Sequence, residues 1–383
     1  MGLILNDLKN ACELEHVCDY VNNRTTSSMN YISTENMLPN KGGISESTII
    51  PPGTTTEYKI GDILISNIRP YFQKIWCADR CGGCSADVLC IRAKKNTDSK
   101  YLYYLLSQQA FFDYVMSGAK GCKMPRGDKK QIMQWPVNIP AIDVQKKVVA
   151  ILSSLDNKIR LNRRINDNLE EQAKALFNHY FIQNTENLGE WQDGVLTDIA
   201  QYLNGLAMQK YPAMPNEAGL PVLKIKELGQ GQCDTNSDRC SSLIKPEYII
   251  SDGTIIFSWS GTLLVDIWCG GKCGLNQHLF KVSSAKYPQW FVFYWTKHHL
   301  NKFIRIAKDK AVTMGHIKRC DLEISKVKIP SKQALVNLDK LFSPIFNRMV
   351  TCRIENRKLS SLRDTLLPKL MSGEISVEEV SLD

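Results

Sequence analysis

The chain repeats itself, and the repeat limits its possible folds more than any other feature. "IWCADRCGG" from Ile75 to Gly83 returns as "IWCGGKCGL" from Ile267 to Leu275, with Ile, Trp, Cys, a basic residue, Cys and Gly in matching places. Upstream, "GDILIS" (Gly61 to Ser66) answers to "GTIIFS" (Gly253 to Ser258), and "LEHVCDY" (Leu14 to Tyr20) resembles "LTDIAQY" (Leu196 to Tyr202). Downstream, "VNIP" (Val137 to Pro140) pairs with "VKIP" (Val327 to Pro330). The segments after them run in parallel without a gap, with Arg163 facing Arg353, Asn166 facing Asn356 and Leu176 facing Leu366. The order is an irregular half, a helical half, and then both again.

The irregular halves read as mixed α/β. "YKIGDILIS" and "SDGTIIFSWS" carry short β-branched runs bounded by Gly and Asp turn signals. "KYLYYLLSQQAFFDYVM" (Lys100 to Met116) and "WFVFYWTKHHLNKFI" (Trp290 to Ile304) each predict one amphipathic helix. Pro51-Pro52, Gly82-Gly83 and Gly270-Gly271 punctuate the loops.

The helical halves carry an apolar seam. In the first, Val148, Leu152, Leu155, Ile159, Asn162, Asn166, Leu169, Ala173, Leu176 and Tyr180 alternate at coiled-coil spacing. In the second, Leu338, Phe342, Ile345, Met349, Cys352, Asn356, Leu359 and Leu366 take the equivalent places. Ser331 is the predicted N-cap, Pro344 predicts a kink or a late helix start, and Pro368 is expected to stop the helix. Neither seam is stable against water, so the two helices are each other's obvious partners, packed antiparallel. Asn166 and Asn356 sit mid-seam, where a buried polar pair would fix the register. The expected fold class is α+β: two tandem α/β domains separated by two long helices that pair as an antiparallel coiled coil, with a pseudo-twofold internal repeat.

Composition narrows the function classes. A chain of 383 residues holds two or three domains, and 43% hydrophobic with 23% charged residues describes an ordinary globular protein. No apolar run approaches the ~20 residues that span a bilayer, and "MGLILNDLKN" lacks the features of a signal peptide, so a cytoplasmic location with no membrane partner is expected. There the 13 cysteines, an odd number, read as free thiols. Cys77, Cys81, Cys84 and Cys90, or Cys269 and Cys273, could suggest zinc. However, Cys84 aligns with Asn276, and a tetrahedral site present in one copy alone is not what the shared fold requires. No metal is expected.

Catalytic motifs are missing from the sequence. It contains no Walker-type phosphate loop, no Gly-rich nucleotide fingerprint after a strand and no Asn-Pro-Pro-aromatic motif. "EYK" (Glu57 to Lys59) has a nuclease-like spacing but no counterpart in the second copy, and the six histidines lack metal spacing. No catalytic residue is assigned.

What remains is basic, in keeping with a net charge of +9. "GAKGCKMPRGDKK" (Gly118 to Lys130) and "AKDKAVTMGHIKRC" (Ala307 to Cys320) lead into the two helices, with Met124 and Met314 aligned. Lys120, Lys123, Arg126, Lys129 and Lys130 in one, and Lys308, Lys310, Lys318 and Arg319 in the other, are candidate phosphate contacts. Thr313 and His316 are candidates for base edges or backbone. Arg69, Gln73 and Lys74 before the Trp-Cys strand, and Asn276, Gln277 and His278 after its twin, are residue types suited to reading base edges.

The chain resembles the specificity subunits of type I restriction–modification systems. "IPAIDVQKKVVAILSSLDNKIRLNRRINDNLEEQAKALFNHYF" (Ile139 to Phe181) is similar to the family's first conserved spacer. "LFSPIFNRMVTCRIENRKLSSLRDTLLPKLMSGEI" (Leu341 to Ile375) is similar to its second. "WQDGVLTDIAQYLNGLA" (Trp191 to Ala207) looks like the opening of a target-recognition domain. The resemblance implies recognition domains at 1–140 and 184–330, spacer helices at 141–183 and 331–375, and a tail at 376–383. It also implies that each recognition domain reads one half of a bipartite, asymmetric double-stranded DNA site. Through Leu152, Leu155, Ile159, Asn166, Leu169, Leu176, Phe342, Ile345, Met349, Asn356, Leu359 and Leu366, the helices would pair, set the spacing and dock partners. Those partners would be two modification (methyltransferase) subunits and restriction/translocase subunits. S-adenosylmethionine, ATP and Mg would belong to them, with no cofactor in this non-catalytic chain. A helix of about 36 residues spans about 54 Å, against ~34 Å for one DNA turn. Other readings stay open: a DNA-independent protein-binding scaffold, an unrecognised nuclease or methyltransferase, or the specificity subunit of a smaller related system.

Overall fold

The computed structural model describes residues 11–26, 30–46, 53–183, 191–309 and 315–378. The chain divides into two compact units, Met1–Asp156 with Ser361–Asp383, and Asn157–Ser360.

In the first unit the apolar run at Ile63–Ser66 is the inner strand of a four-stranded sheet ordered Cys18–Tyr20, Val88–Ala93, Ile63–Ser66, Ile75–Cys77. All pairs in it are antiparallel. Ile63 and Ile65 pack with Tyr101, Leu102, Phe111 and Phe112, while Leu64 packs with Tyr58, Trp76 and Cys84. Burial on both faces explains a run of apolar residues without alternation. A smaller sheet pairs Arg24–Thr25, Thr55–Tyr58 and Gly82–Cys84. Cys77 and Cys84 therefore lie in different sheets, and Cys81 is exposed.

The single helix expected at Lys100–Met116 is two, Ser99–Leu106 and Gln109–Ser117. Between them Ser107 Oγ donates to Tyr103 O at 2.6 Å and Gln108 turns extended (ψ 147°). A serine hydroxyl that bonds back to its own turn competes with helix continuation, and apolar periodicity does not register it.

The second unit orders its four-stranded sheet Gln201–Asn204, Leu279–Ser283, Thr254–Ser258, Leu264–Trp268. A second sheet joins Arg239–Cys240, Leu220–Leu223, Cys273–Leu275 and Ile249–Ile250. Here the aromatic run forms one helix, Gln289–Asp309. Trp290, Phe291, Phe293 and Trp295 are buried in the core.

His299 of that helix is buried and donates Nε2–H to Lys326 O at 2.8 Å. Burial lowers its pKa from 6.5 to about 4, and the neighbouring His298 is lowered for the same reason. A depressed histidine means that the unfolded chain takes up a proton which the folded unit refuses. The stability is therefore complete above about pH 6.5 and is lost as pH falls towards 4, by up to about 3 kcal/mol. Thermal melts at pH 7 and 4.5 should show this loss. In His299→Gln the acid-induced drop should shrink, and an unchanged drop would remove His299 as its source.

The two long helices run over Ile142–Phe177, continuing as a wider turn through Asn178–Gln183, and over Lys332–Met371. Ser331 Oγ accepts from Ala334 N–H at 3.3 Å, as an N-cap does. Pro344 causes no late start, and Pro368 does not stop the helix. Ser372 N–H still donates to Pro368 O at 3.0 Å, and the turn ends at Gly373, whose φ is 77°. Each proline forfeits one backbone bond, whereas the neighbouring Phe342, Phe346, Leu367 and Leu370 are all buried.

Within the first unit Val148 and Leu152 share a core with Leu367, Leu370 and Met371. Within the second, Ala173, Phe177 and Phe181 share one with Leu338, Phe342 and Phe346. Ile159 and Met349 are buried, while Leu155, Leu169, Leu176, Ile345, Leu359 and Leu366 are half-buried. The polar partner of Asn356 is Asn162, whose Nδ2 donates to it at 3.0 Å and to Glu355 at 2.8 Å. Asn166, one turn further on, is buried, and its Oδ1 has no hydrogen-bond partner among the described residues. It borders a polar cavity of about 380 Å³ walled by Arg163, Glu170, Asp266 and Arg353, roomy enough for the water a buried amide needs.

Candidate nucleic-acid interface

In the first unit the inner strand Ile63–Ser66 feeds a turn that meets the basic loop. Arg69 N–H donates to Pro125 O at 2.8 Å, and Ile68 bridges to Arg126 in antiparallel fashion. The basic loop closes on itself through paired backbone bonds between Lys120 and Arg126 at 2.9 and 3.0 Å. Asp128 caps the helix Lys129–Met133 by accepting from Lys130 and Gln131 N–H. Those backbone donors, led by Gln131 and helped by Lys120, hold its carboxyl below the ordinary range.

The expected phosphate contacts divide into two groups. Lys120 pairs with Asp128 and Arg126 with Asp87, both at 3.2 Å. Lys123, Lys129 and Lys130 are exposed and have no ion-pair partner among the described residues. Arg69 is also exposed. Gln73 donates to Gln109, and Lys74 donates to Thr34 O at 2.7 Å, with burial lowering its pKa. These two side chains brace the turn from within. Arg69 and Gln73 have φ of 52° and 50°, a region that costs residues with a β-carbon about 1–2 kcal/mol each. The bracing sustains that strain.

The second unit repeats the arrangement with different side chains. After the strand Thr254–Ser258, Gly261 N–H donates to Gly315 O at 3.0 Å, Ile317 N–H donates to Trp259 O at 3.1 Å, and Ser260 bridges to His316. The Trp259 ring lies 5.9 Å from His278 and 6.4 Å from His316, and its Nε1 donates to Asn204 Oδ1 at 3.0 Å. Asn276 is buried, and its Oδ1 accepts from His278 N–H at 3.3 Å. Gly205 passes so close that a β-carbon there would stand 2.2 Å from Asn276 O, so only glycine fits. Gln277 Oε1 and His278 Nδ1 have no hydrogen-bond partner among the described residues. Lys308, Lys318 and Arg319 are exposed, Arg319 lying 3.7 Å from Glu323. Lys310 and Thr313 fall outside the described residues.

In each unit, then, the chain after the inner strand is hydrogen-bonded to the basic loop that precedes a long helix. Trp259, Asn204, Tyr71 and Phe72 also lie at this surface, although residue type alone did not single them out. The alignment held a signal for one of them, since Trp259 stands where the first copy has Asn67, at the end of the same strand. Among the described residues no group of three or more His, Cys, Asp or Glu side chains could hold a metal ion. No described helix is long and apolar enough to cross a membrane.

The second sheet–turn–loop assembly is fastened to the long helix by arginines. Arg357 grips Asp252 at 2.7 and 2.8 Å and donates to Cys269 O at 2.6 Å. Arg353 donates to Asp266 at 2.6 Å.

Residues 9–171 match the family model described as the type I restriction modification DNA specificity domain. The chain is similar to the specificity subunits of type I restriction–modification systems, the resemblance its spacer motifs carry. The type I restriction enzyme MjaIX specificity subunit of Methanocaldococcus jannaschii is 26% identical, over 75% of this chain and 71% of the relative. The HindI specificity subunit of Haemophilus influenzae is 21% identical, over 90% and 94%. A crystal structure of the type I restriction-modification S subunit from M. genitalium shares the fold, with a TM-score of 0.52 at 15% identity over 94% of this chain and 95% of that one.

Proposed function

We propose that the chain is the non-catalytic, sequence-specific DNA-binding subunit of a type I restriction–modification complex in the cytoplasm. Two recognition domains, 1–140 and 184–330, each read one half of a bipartite, asymmetric site. The helices at 141–183 and 331–375 pair as an antiparallel coiled coil, set the distance between the half-sites and dock two modification subunits and the restriction subunits. S-adenosylmethionine, ATP and Mg act on those partners. The antiparallel pairing is supported by Asn162 meeting Asn356 while Phe181 meets Phe342. The internal repeat is supported by the sheets that hold Ile63–Ser66 and Thr254–Ser258, which order their strands alike.

One observation carries the reading: the same backbone pairing, Ile68 with Arg126 and Ser260 with His316, sets a basic loop against the end of the inner strand in both units. Cations around such a platform neutralise phosphates and fix orientation, while neighbouring side chains reach base edges. Lys120, Lys123, Arg126, Lys129, Lys130, Lys308, Lys310, Lys318 and Arg319 take the first role. Arg69, Asn276, Gln277, His278, Thr313 and His316 take the second, and Gln73 and Lys74 act by holding the turn.

The test is genome-wide methylation in the source cell with and without this gene. One bipartite motif should lose its methylation when the gene is deleted. An unchanged methylome, together with purified complex that binds unrelated duplexes equally, would reject the function.

A further inference from the structure

Between the strained Arg69 and Gln73 the turn Pro70–Phe72 shows solvent two adjacent aromatic rings. Tyr71 is 48% and Phe72 38% exposed, with ring centroids 4.6 Å apart. Met124, on the basic loop bonded to this turn, is 48% exposed. The turn is fixed on all sides: Asn40 N–H donates to Phe72 O at 2.8 Å, Lys41 N–H to Gln73 O at 3.0 Å, and Arg69 N–H to Pro125 O. A rigid apolar tip thus adjoins Arg69 and is bonded through the backbone to the basic loop that carries Lys123 and Arg126. Cations around an apolar tip favour a polyanion over an ordinary protein surface, and they adjoin the surface already assigned to DNA. In the second unit the aligned Leu263 is buried.

We propose that Tyr71 and Phe72 read thymine in the half-site met by the first unit, by apolar contact with its C5-methyl group. This rests on the DNA-reading function proposed above. In an intact duplex the thymine methyl is the apolar feature that the major-groove base edges offer. Stacking on a base would first require unstacking it, which costs far more than docking a preformed tip on a methyl. The Gln73 side chain and the Arg69 backbone then hold the pair in place, which accounts for a strained backbone at two non-glycine positions.

The experiment uses the assembled complex and the duplex carrying its methylation motif. Each thymine is replaced in turn by deoxyuridine, and binding is measured for the wild type, Tyr71→Ala, Phe72→Ala and Phe72→Leu. Loss of one buried methyl contact is worth about fourfold in affinity. The expected result is a single position, in one half-site, where deoxyuridine weakens wild-type and Phe72→Leu binding about fourfold. At that position it leaves at least one alanine variant unchanged. The proposal is overturned if no position responds, if the losses of base and side chain simply add, or if the alanine variants shed partner subunits while keeping DNA affinity, which would make the tip a protein interface. Wild-type complex that binds every duplex alike would instead overturn the DNA-reading function, and the proposal with it.

Discussion

Raising salt from 50 to 200 mM is expected to weaken DNA binding by this chain about a thousandfold. The estimate follows from about six phosphate contacts, each releasing counterions, which gives a slope of about −5 in log K against log salt. In the function proposed above, the exposed cations would supply them: Lys123, Lys129 and Lys130 in the first unit, Lys308, Lys318 and Arg319 in the second. Lys120 and Arg126 contribute less, because each must first leave the carboxylate of Asp128 or Asp87. Alanine at Lys123 or Lys129 should flatten the slope by about one and weaken all sequences alike. Alanine at Lys120 should change it less. Mobility shifts across a salt series measure both, and a flat response in the wild type would remove the phosphate contacts altogether.

The mixed helix-and-sheet architecture and its two long helices were legible in the sequence. The Ile-Trp-Cys repeat marks equivalent sheets, and the alternation from Val148 to Tyr180 marks the helix face that is largely buried. Periodicity records which face turns inward, however, and leaves the facing partner open. Asn356 therefore reads as the partner of Asn166 when Asn162 meets it. Prolines mislead for a related reason: the penalty at Pro368 is local, and the burial of Leu367 and Leu370 that outweighs it is tertiary. At the candidate interface, residue type singled out Gln73 and Lys74, whose side chains are held by Gln109 and Thr34. Those bonds join positions more than thirty residues apart, which one sequence does not encode. Trp259 was missed because an aromatic after an apolar strand looks like core until Asn204, His278 and His316 are seen around it.

Trp290→Ala is expected to destabilise the second unit by about 3–5 kcal/mol, the range for deleting a buried large aromatic side chain. Trp290 is 1% exposed and stacks on Phe342 with centroids 4.2 Å apart and planes 10° apart. Its Nε1 donates to Asp339 Oδ1 at 2.7 Å. Two elements meet there: the helix Gln289–Asp309, which packs under the sheet, and the long helix that carries Phe342 and Asp339. Phe181, from the end of the other long helix, adds contacts to Trp290, Phe291 and Phe342. The substitution would therefore open a cavity where the helix Gln289–Asp309 is anchored to both long helices. Trp290→Phe keeps a ring against Phe342 and loses the bond to Asp339, so it should cost about 1–2 kcal/mol. Urea unfolding followed by circular dichroism measures both losses. If the anchor also aims the second recognition half, Trp290→Ala should relax one half of the methylation motif and spare the other at temperatures where the chain remains folded. A loss below about 1 kcal/mol in the alanine variant would show that the aromatic cluster repacks, and that the arginine clamp at Asp252 and Asp266 carries the anchoring instead.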